Sequence, residues 1–152
     1  MKKIITISIL FLSFTVFAQN VDQINYTTEL QNKKTTTFED AVKMFVYHYG
    51  ETSKGFEKDL EFLNSRGILK KKYMAYKPER TLKRGQIAYM AAKYLKLKDH
   101  MFYMITGAER YAFRACISNK IMVADASEND IISGGELCEI FTSIAEFEGD
   151  EE

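Results

Sequence analysis

Beyond residue 36 the apolar residues recur at helical spacing. Phe38, Ala41, Val42, Phe45, Val46 and Tyr49 fall at i, i+3, i+4, i+7, i+8 and i+11 and form one stripe. Thr37 supplies an N-cap, Asp40 stands where a capping-box acid belongs, and Gly50 closes the element. A second helix is predicted from about Phe56 to Ser65, with Phe56, Leu60 and Leu63 on one side and Gly67 near its end. A third starts near Arg84 and carries Ile87, Ala88, Met90, Ala91, Tyr94 and Leu95. A fourth covers roughly Ala108 to Ser118, and a short helix at Met101 to Ile105 could precede it. A fifth runs from about Gly134 to Phe147, with Leu137, Ile140, Phe141 and Ile144 apolar. Two long stretches lack this pattern: "KKKYMAYKPERTL", which holds the only proline, Pro78, and "DASENDIISGGEL", Asp125 to Leu137. Apart from short extended pieces in these loops, nothing alternates with period two. The expectation is an all-α bundle of about five helices with two long loops.

The ends of the chain depart from this pattern. Lys2 and Lys3 precede the uncharged apolar run "IITISILFLSFTVF", and Val16-Phe17-Ala18 ends it as a small-residue cleavage site would. That is the order of a secretory signal peptide, assigned to residues 1–18. The run has 14 residues, whereas a bilayer span needs roughly 20; an uncleaved anchor is the alternative. No Cys follows the run, so bacterial lipidation is not indicated. The expected location is outside the cytoplasm, periplasmic or at the cell surface, with membrane contact only through the signal before cleavage. Residues 19–36 are polar, with almost no large aliphatics, and read as a flexible leader. Residues 37–147 form the folded domain, and 148–152 an acidic, disordered tail.

Composition narrows the function classes. A chain of 152 residues that is 46% apolar suits one domain with a real core. Charge is balanced, 21 basic against 21 acidic residues. Removing Met1 to Ala18 takes away two lysines and leaves a net charge near −2. No global electrostatic case for nucleic acid remains. Cys116 and Cys138 are the only cysteines. In an exported protein they could form a disulfide, or they could be two small buried thiols. With no CxxC and only His48 and His100, a metal or redox centre is not expected, and neither is a cofactor. His48 reads as a surface or boundary histidine. No carboxylate pair is tied to a base, nucleophile or metal set, so the chain is not expected to be an enzyme.

The helices carry an internal repeat. "TLKRGQIAYMAAKYL" from Thr81 aligns without gaps with "IISGGELCEIFTSIA" from Ile131 at an offset of 50. Upstream, "FLNSRGIL" and "ACISNKIM" align at an offset of 53, and "TFEDAVKM" from Thr37 aligns with "KRGQIAYM" at 46. Each copy places an acid or amide (Asp40, Gln86, Glu136) three residues after the cap position (Thr37, Lys83, Ser133). Ser133 and Glu136 make a full capping box worth about 1 kcal/mol; Lys83 makes the middle one weaker. The same loop admits a calcium reading, with Asp125, Ser127, Asn129, Ser133 and Glu136 at positions 1, 3, 5, 9 and 12 of an EF-hand and Ile132 at the apolar position 8. Against it, the glycine position is Asp130 and the equivalent middle loop is strongly basic. The capped turn is the favoured reading.

This frame is similar to the S-layer homology (SLH) domain family, whose repeats join a "Leu…Gly-Ile" helix end to an "apolar-Thr-Arg-Ala-Glu-apolar-Ala" helix start. Leu63, Gly67, Ile68, Pro78, Leu82, Arg84, Gly85, Gln86, Ile87 and Ala88 carry the match, and in the last copy Ile121, Ile132, Ser133, Gly135, Glu136 and Leu137. It covers roughly Thr37 to Ala145. The resemblance implies an all-helical pseudo-repeat domain, with one helix per repeat near a central axis and grooves that hold anionic cell-wall polysaccharide. The motif arginine is present only as Arg84, Phe38 and Gly134 standing in its place, and there is no Trp. The fold is therefore implied more strongly than the glycan site.

The best local surface is the basic loop. Lys70, Lys71, Lys72, Lys77, Arg80, Lys83 and Arg84 could hold an anionic polymer while Tyr73 and Tyr76 stack on sugar faces. A solvated lysine loop is the plain alternative. The functional expectation is a non-enzymatic envelope protein that associates with cell-wall glycan (peptidoglycan included) or another envelope protein through Lys71, Lys72, Tyr73, Tyr76, Arg80 and Arg84. The alternative is an exported calcium module using Asp125, Ser127, Asn129 and Glu136.

Overall fold

In a computed structural model of the chain, residues 21–98 and 100–150 are described. The apolar run assigned as a signal peptide lies outside them. The described residues are helical and contain no strand, only two isolated bridges, Thr37 with Thr81 and Lys83 with Ile131. The elements are α1 (21–31), α2 (Phe38–His48), α3 (Phe56–Ser65), a 3-10 turn (Lys71–Ala75), α4 (Arg84–Tyr94), α5 (Met101–Thr106), α6 (Glu109–Ser118) and α7 (Gly134–Asp150).

The amphipathic stripes place the core. Phe38, Ala41, Val42 and Phe45 of α2 are fully buried, as are Ile87, Ala88, Met90 and Ala91 of α4 and Leu137 and Ile144 of α7. α2 pairs with α3, α4 with α6, and α7 lies against α2. Phe45 meets Phe141 edge to face with centroids 4.8 Å apart, which joins the first and last of these core helices. α3 starts at Gly55, whose φ of 97° only glycine adopts readily. Ahead of it, the buried Asp59 carboxylate accepts from Ser53 Oγ and the Lys54 N–H and ties down the approach.

Two segments differ from the sequence expectation. The polar leader is not a free arm: residues 21–31 form α1, with Leu30 fully buried and Thr36 in the core. Tyr26 and Leu30, one turn apart, are its inward residues. Tyr26 packs edge-on against Tyr47 at 5.7 Å and donates to Asp40. Four apolar residues in a polar stretch make too faint a stripe to read alone, and tertiary packing supplies the rest of the helix's stability. The acidic tail also begins later than expected. α7 continues through Asp150, and Glu148 accepts from Tyr94 Oη at 2.7 Å and lies 2.9 Å from His48 Nε2. Residues 151–152 lie outside the described part.

Candidate functional site: the ring of helix starts and the groove at Arg84

The three repeated helix starts meet in a ring of backbone hydrogen bonds. The Phe38 N–H donates to Arg80 O (2.7 Å), Arg84 N–H to Asp130 O (3.0 Å) and Gly134 N–H to Lys33 O (2.8 Å). Leu82 N–H donates to Thr36 O and Thr36 N–H to Ile132 O, both at 3.0 Å. Phe38, Arg84 and Gly134 are equivalent positions, as are Thr36, Leu82 and Ile132, under the offsets of 46 and 50. Each start thus uses orphan N–H groups of its first turn to hold the chain that leads into another start. Leu82 and Ile132, with Thr36, are fully buried beneath the ring.

The third residue of each helix reaches back to its cap. Asp40 Oδ2 accepts from Thr37 N–H at 2.8 Å, Gln86 Oε1 from Lys83 N–H at 3.0 Å, and Glu136 Oε2 from Ser133 N–H at 2.9 Å. Thr37 and Ser133 return the bond through their hydroxyls; Lys83, which has no acceptor, cannot. Glu136 is also ion-paired with Arg84. Burial raises the Glu136 pKa, but the bonds from Ser133 and the Arg84 charge outweigh it and hold the carboxyl below its ordinary value.

The helix ends repeat as well. At Gly67 and Lys120 the backbone turns left-handed, with φ of 75° and 60°. Both ends then make the same bonds: Gly67 N–H to Asn64 O with Ile68 N–H to Leu63 O, and Lys120 N–H to Ile117 O with Ile121 N–H to Cys116 O. This matches the alignment at an offset of 53.

Between the end of α6 and the start of α7 lies a groove of about 100 Å³. Arg84, Lys120, Glu136 and Glu139 bring two charges of each sign to it, and Ile121, Met122 and Ile140 line it with apolar surface. Arg84 Nε is buried and donates to no group among the described residues. A ligand with oxygens to offer could take that donor.

The basic loop is not the uniform exposed surface expected. Lys71 and Lys72 are exposed, but Tyr73 is fully buried against Phe38, Tyr76 and Tyr89 and donates to Glu109 Oε1 at 2.9 Å. In a five-residue 3-10 turn one side chain of three faces inward, and the largest apolar one takes that place. Tyr73 is therefore core and not a sugar platform. Lys72 pairs with Glu109 at 2.5 Å, with Lys70 further off at 3.9 Å. Burial raises the Glu109 pKa, but the bonds from Lys72 and Tyr73 and the lysine charges win and lower it. Tyr76 is half-buried on Phe38, and the Arg80 guanidinium sits 4.0 Å over its ring. Arg84 lines the groove instead. Tyr73→Phe is expected to cost about 1–2 kcal/mol, because half-buried Glu109 loses a donor. Lys71→Ala should change stability by under about 0.5 kcal/mol. Equal effects in thermal melts would contradict this placement.

The calcium candidates differ in setting. Asp125, Ser127 and Asn129 are exposed, Asp130 turns back to accept from Ser127 N–H, and Glu136 is engaged by Ser133 and a guanidinium. Among the described residues no group of three or more His, Cys, Asp or Glu could hold a metal ion. No disulfide joins Cys116, buried and donating to Ala88 O, to half-buried Cys138. No family model, curated protein or solved structure matches the chain.

Proposed function

We propose that the chain is an exported, non-enzymatic cell-envelope protein, a degenerate SLH-like pseudo-repeat that associates with cell-wall glycan or another envelope protein. The observation that supports this best is the ring, in which three helix starts of one sequence frame cap themselves alike and bond to one another's approaches. The only arginine of the frame stands in the groove beside the third start. The contact surface moves accordingly from the basic loop to this groove. Arg84 Nε–H, the exposed Lys120 ammonium and the Glu139 carboxylate offer donors and an acceptor above an apolar floor, the pairing that polyhydroxylated ligands use. Positive and negative charges balance here, which suits a sugar with occasional acidic groups better than a dense polyanion.

Co-sedimentation with purified cell-wall sacculi tests the reading. Arg84→Gln and Lys120→Gly should each lower retention about tenfold, close to 1.4 kcal/mol. Glycine at position 120 keeps the left-handed turn, so its loss of binding is not a folding effect. Lys71→Ala should bind as the parent does. A parent protein that stays in the supernatant, or groove variants that sediment as well as it does, would overturn the proposal.

A further inference from the structure

α5 turns its apolar side outward. Met101, Phe102, Met104 and Ile105 are 65, 52, 59 and 73% exposed, and only Tyr103 points into the core. Phe102 is braced from beneath by Tyr111, stacked with centroids 5.4 Å apart. Beside these side chains runs a groove of about 310 Å³, lined by Met104 and Tyr103 on one side and by Lys93, Lys96 and Lys98 on the other. Among the described residues no acid lines it and no ion pair engages these three lysines. From Lys93 to Arg114 the chain carries five cations and two acids, although its total charge is zero. One of those acids, Glu109, is held by Lys72 and Tyr73.

We propose that α5 is a membrane-docking element that inserts Met101, Phe102, Met104 and Ile105 into the surface of an anionic lipid bilayer, with Lys93, Lys96 and Lys98 on the headgroups. Exposed apolar side chains rimmed by cations are how a peripheral protein lies in the interfacial zone. Lysine collars favour lipid over a protein partner. Protein interfaces are depleted in lysine, whereas a flexible lysine stem packs along apolar surface while its ammonium stays with the headgroup. No helix of the described residues is long and apolar enough to cross a membrane, so this is attachment, not spanning. The inference is independent of the glycan reading and adds a second membrane contact to the expected signal peptide.

The full chain is mixed with vesicles that carry a photoactivatable diazirine on a lipid acyl chain, in phosphatidylcholine alone or with phosphatidylglycerol. Labelled peptides are then mapped by mass spectrometry. Label is expected on the peptide containing Met101–Ile105, about tenfold more with phosphatidylglycerol present. Lys96→Glu with Lys98→Glu should abolish that difference. Phe102→Ser with Ile105→Asp should abolish the label while circular dichroism stays unchanged, because both side chains lie outside the core. Label acquired by the apolar run at residues 4–17 is scored separately and does not count. Absence of label at Met101–Ile105 overturns the proposal. So does labelling indifferent to lipid charge and to the lysines, or α5-to-α5 cross-linking between two copies in vesicle-free solution.

Discussion

Gly134→Ala should either lower the melting temperature by many degrees or release α1 from the rest of the protein. A Cβ built on Gly134 falls 1.6 Å from the Leu30 carbonyl oxygen and 2.7 Å from its carbon. Both are backbone atoms, so no side-chain rotation relieves the clash. The same approach lets the Gly134 N–H reach Lys33 O. The effect is steric closeness rather than an unusual turn. Overpacking of a rigid site costs about 1–3 kcal/mol and sometimes more, and this overlap belongs at the upper end. The alternative is for residues 30–33 to detach. That gives up the burial of Leu30, worth about 1.5–3 kcal/mol, and a hydrogen bond worth about 1. The two routes cost similar amounts and are told apart by trypsin: Lys33 and Lys34 are already exposed, but only detachment frees the backbone there from its bond to Gly134 for rapid cleavage. Gly149→Ala, with nothing within 4 Å of its Cβ, is the control and should be neutral or slightly stabilising. Parent-like melting and parent-like resistance to trypsin in Gly134→Ala would mean that the two backbones do not approach.

What could be read beforehand and what could not divide by the range of the interaction. The capping boxes at Thr37/Asp40 and Ser133/Glu136 were legible because cap and acid lie three residues apart, and both form. The stripes of α2, α4 and α7 were legible for the same reason, and so was the equivalence of Gly67 and Lys120 once their flanking residues were aligned. The closeness of Gly134 to Leu30 was hidden, because α1 was hidden. Its Tyr26 has meaning only beside Asp40, 14 residues on. Tyr73 was misplaced because its lysine neighbours suggested solvent. Two of those lysines, Lys72 and more distantly Lys70, pair with Glu109, which is 36 residues from Tyr73 and invisible as its partner. Arg84 was singled out by its place in the frame, but its pairing with Glu136, 52 residues away, required the ring.

Asp40 is where local and distant interactions combine, and Asp40→Ala should cost about 3 kcal/mol or more. The residue is 3% exposed. One carboxylate oxygen accepts from the Thr37 N–H and hydroxyl, the other from Tyr26 Oη and Lys33 Nζ, both at 2.7 Å. Truncation removes a cap worth about 1 kcal/mol, strands the part-buried Tyr26 hydroxyl at about 1–3 kcal/mol, and takes the partner from the Lys33 ammonium. The Lys33 side chain is 42% exposed, so its share is discounted for screening. Burial raises the Asp40 pKa, yet the bonds from Lys33, Thr37 and Tyr26 and the lysine charge outweigh it and hold the carboxyl below its ordinary 3.8. A depressed folded-state pKa means that the folded protein binds fewer protons than the unfolded chain just below that ordinary value. The stabilisation is therefore complete above it and is lost as pH falls through the lowered folded value. Glu109 and Glu136, both lowered from 4.5, add to the same acid loss. Asp40→Asn keeps the shape but carries no charge to lose. Its melting temperature should lie well below the parent's at neutral pH, and the gap should narrow as the pH falls below the ordinary 3.8. A gap that stays constant from neutral to acid would mean that the Asp40 carboxylate contributes nothing through its charge, and that Tyr26 and Lys33 are held to α2 by packing alone.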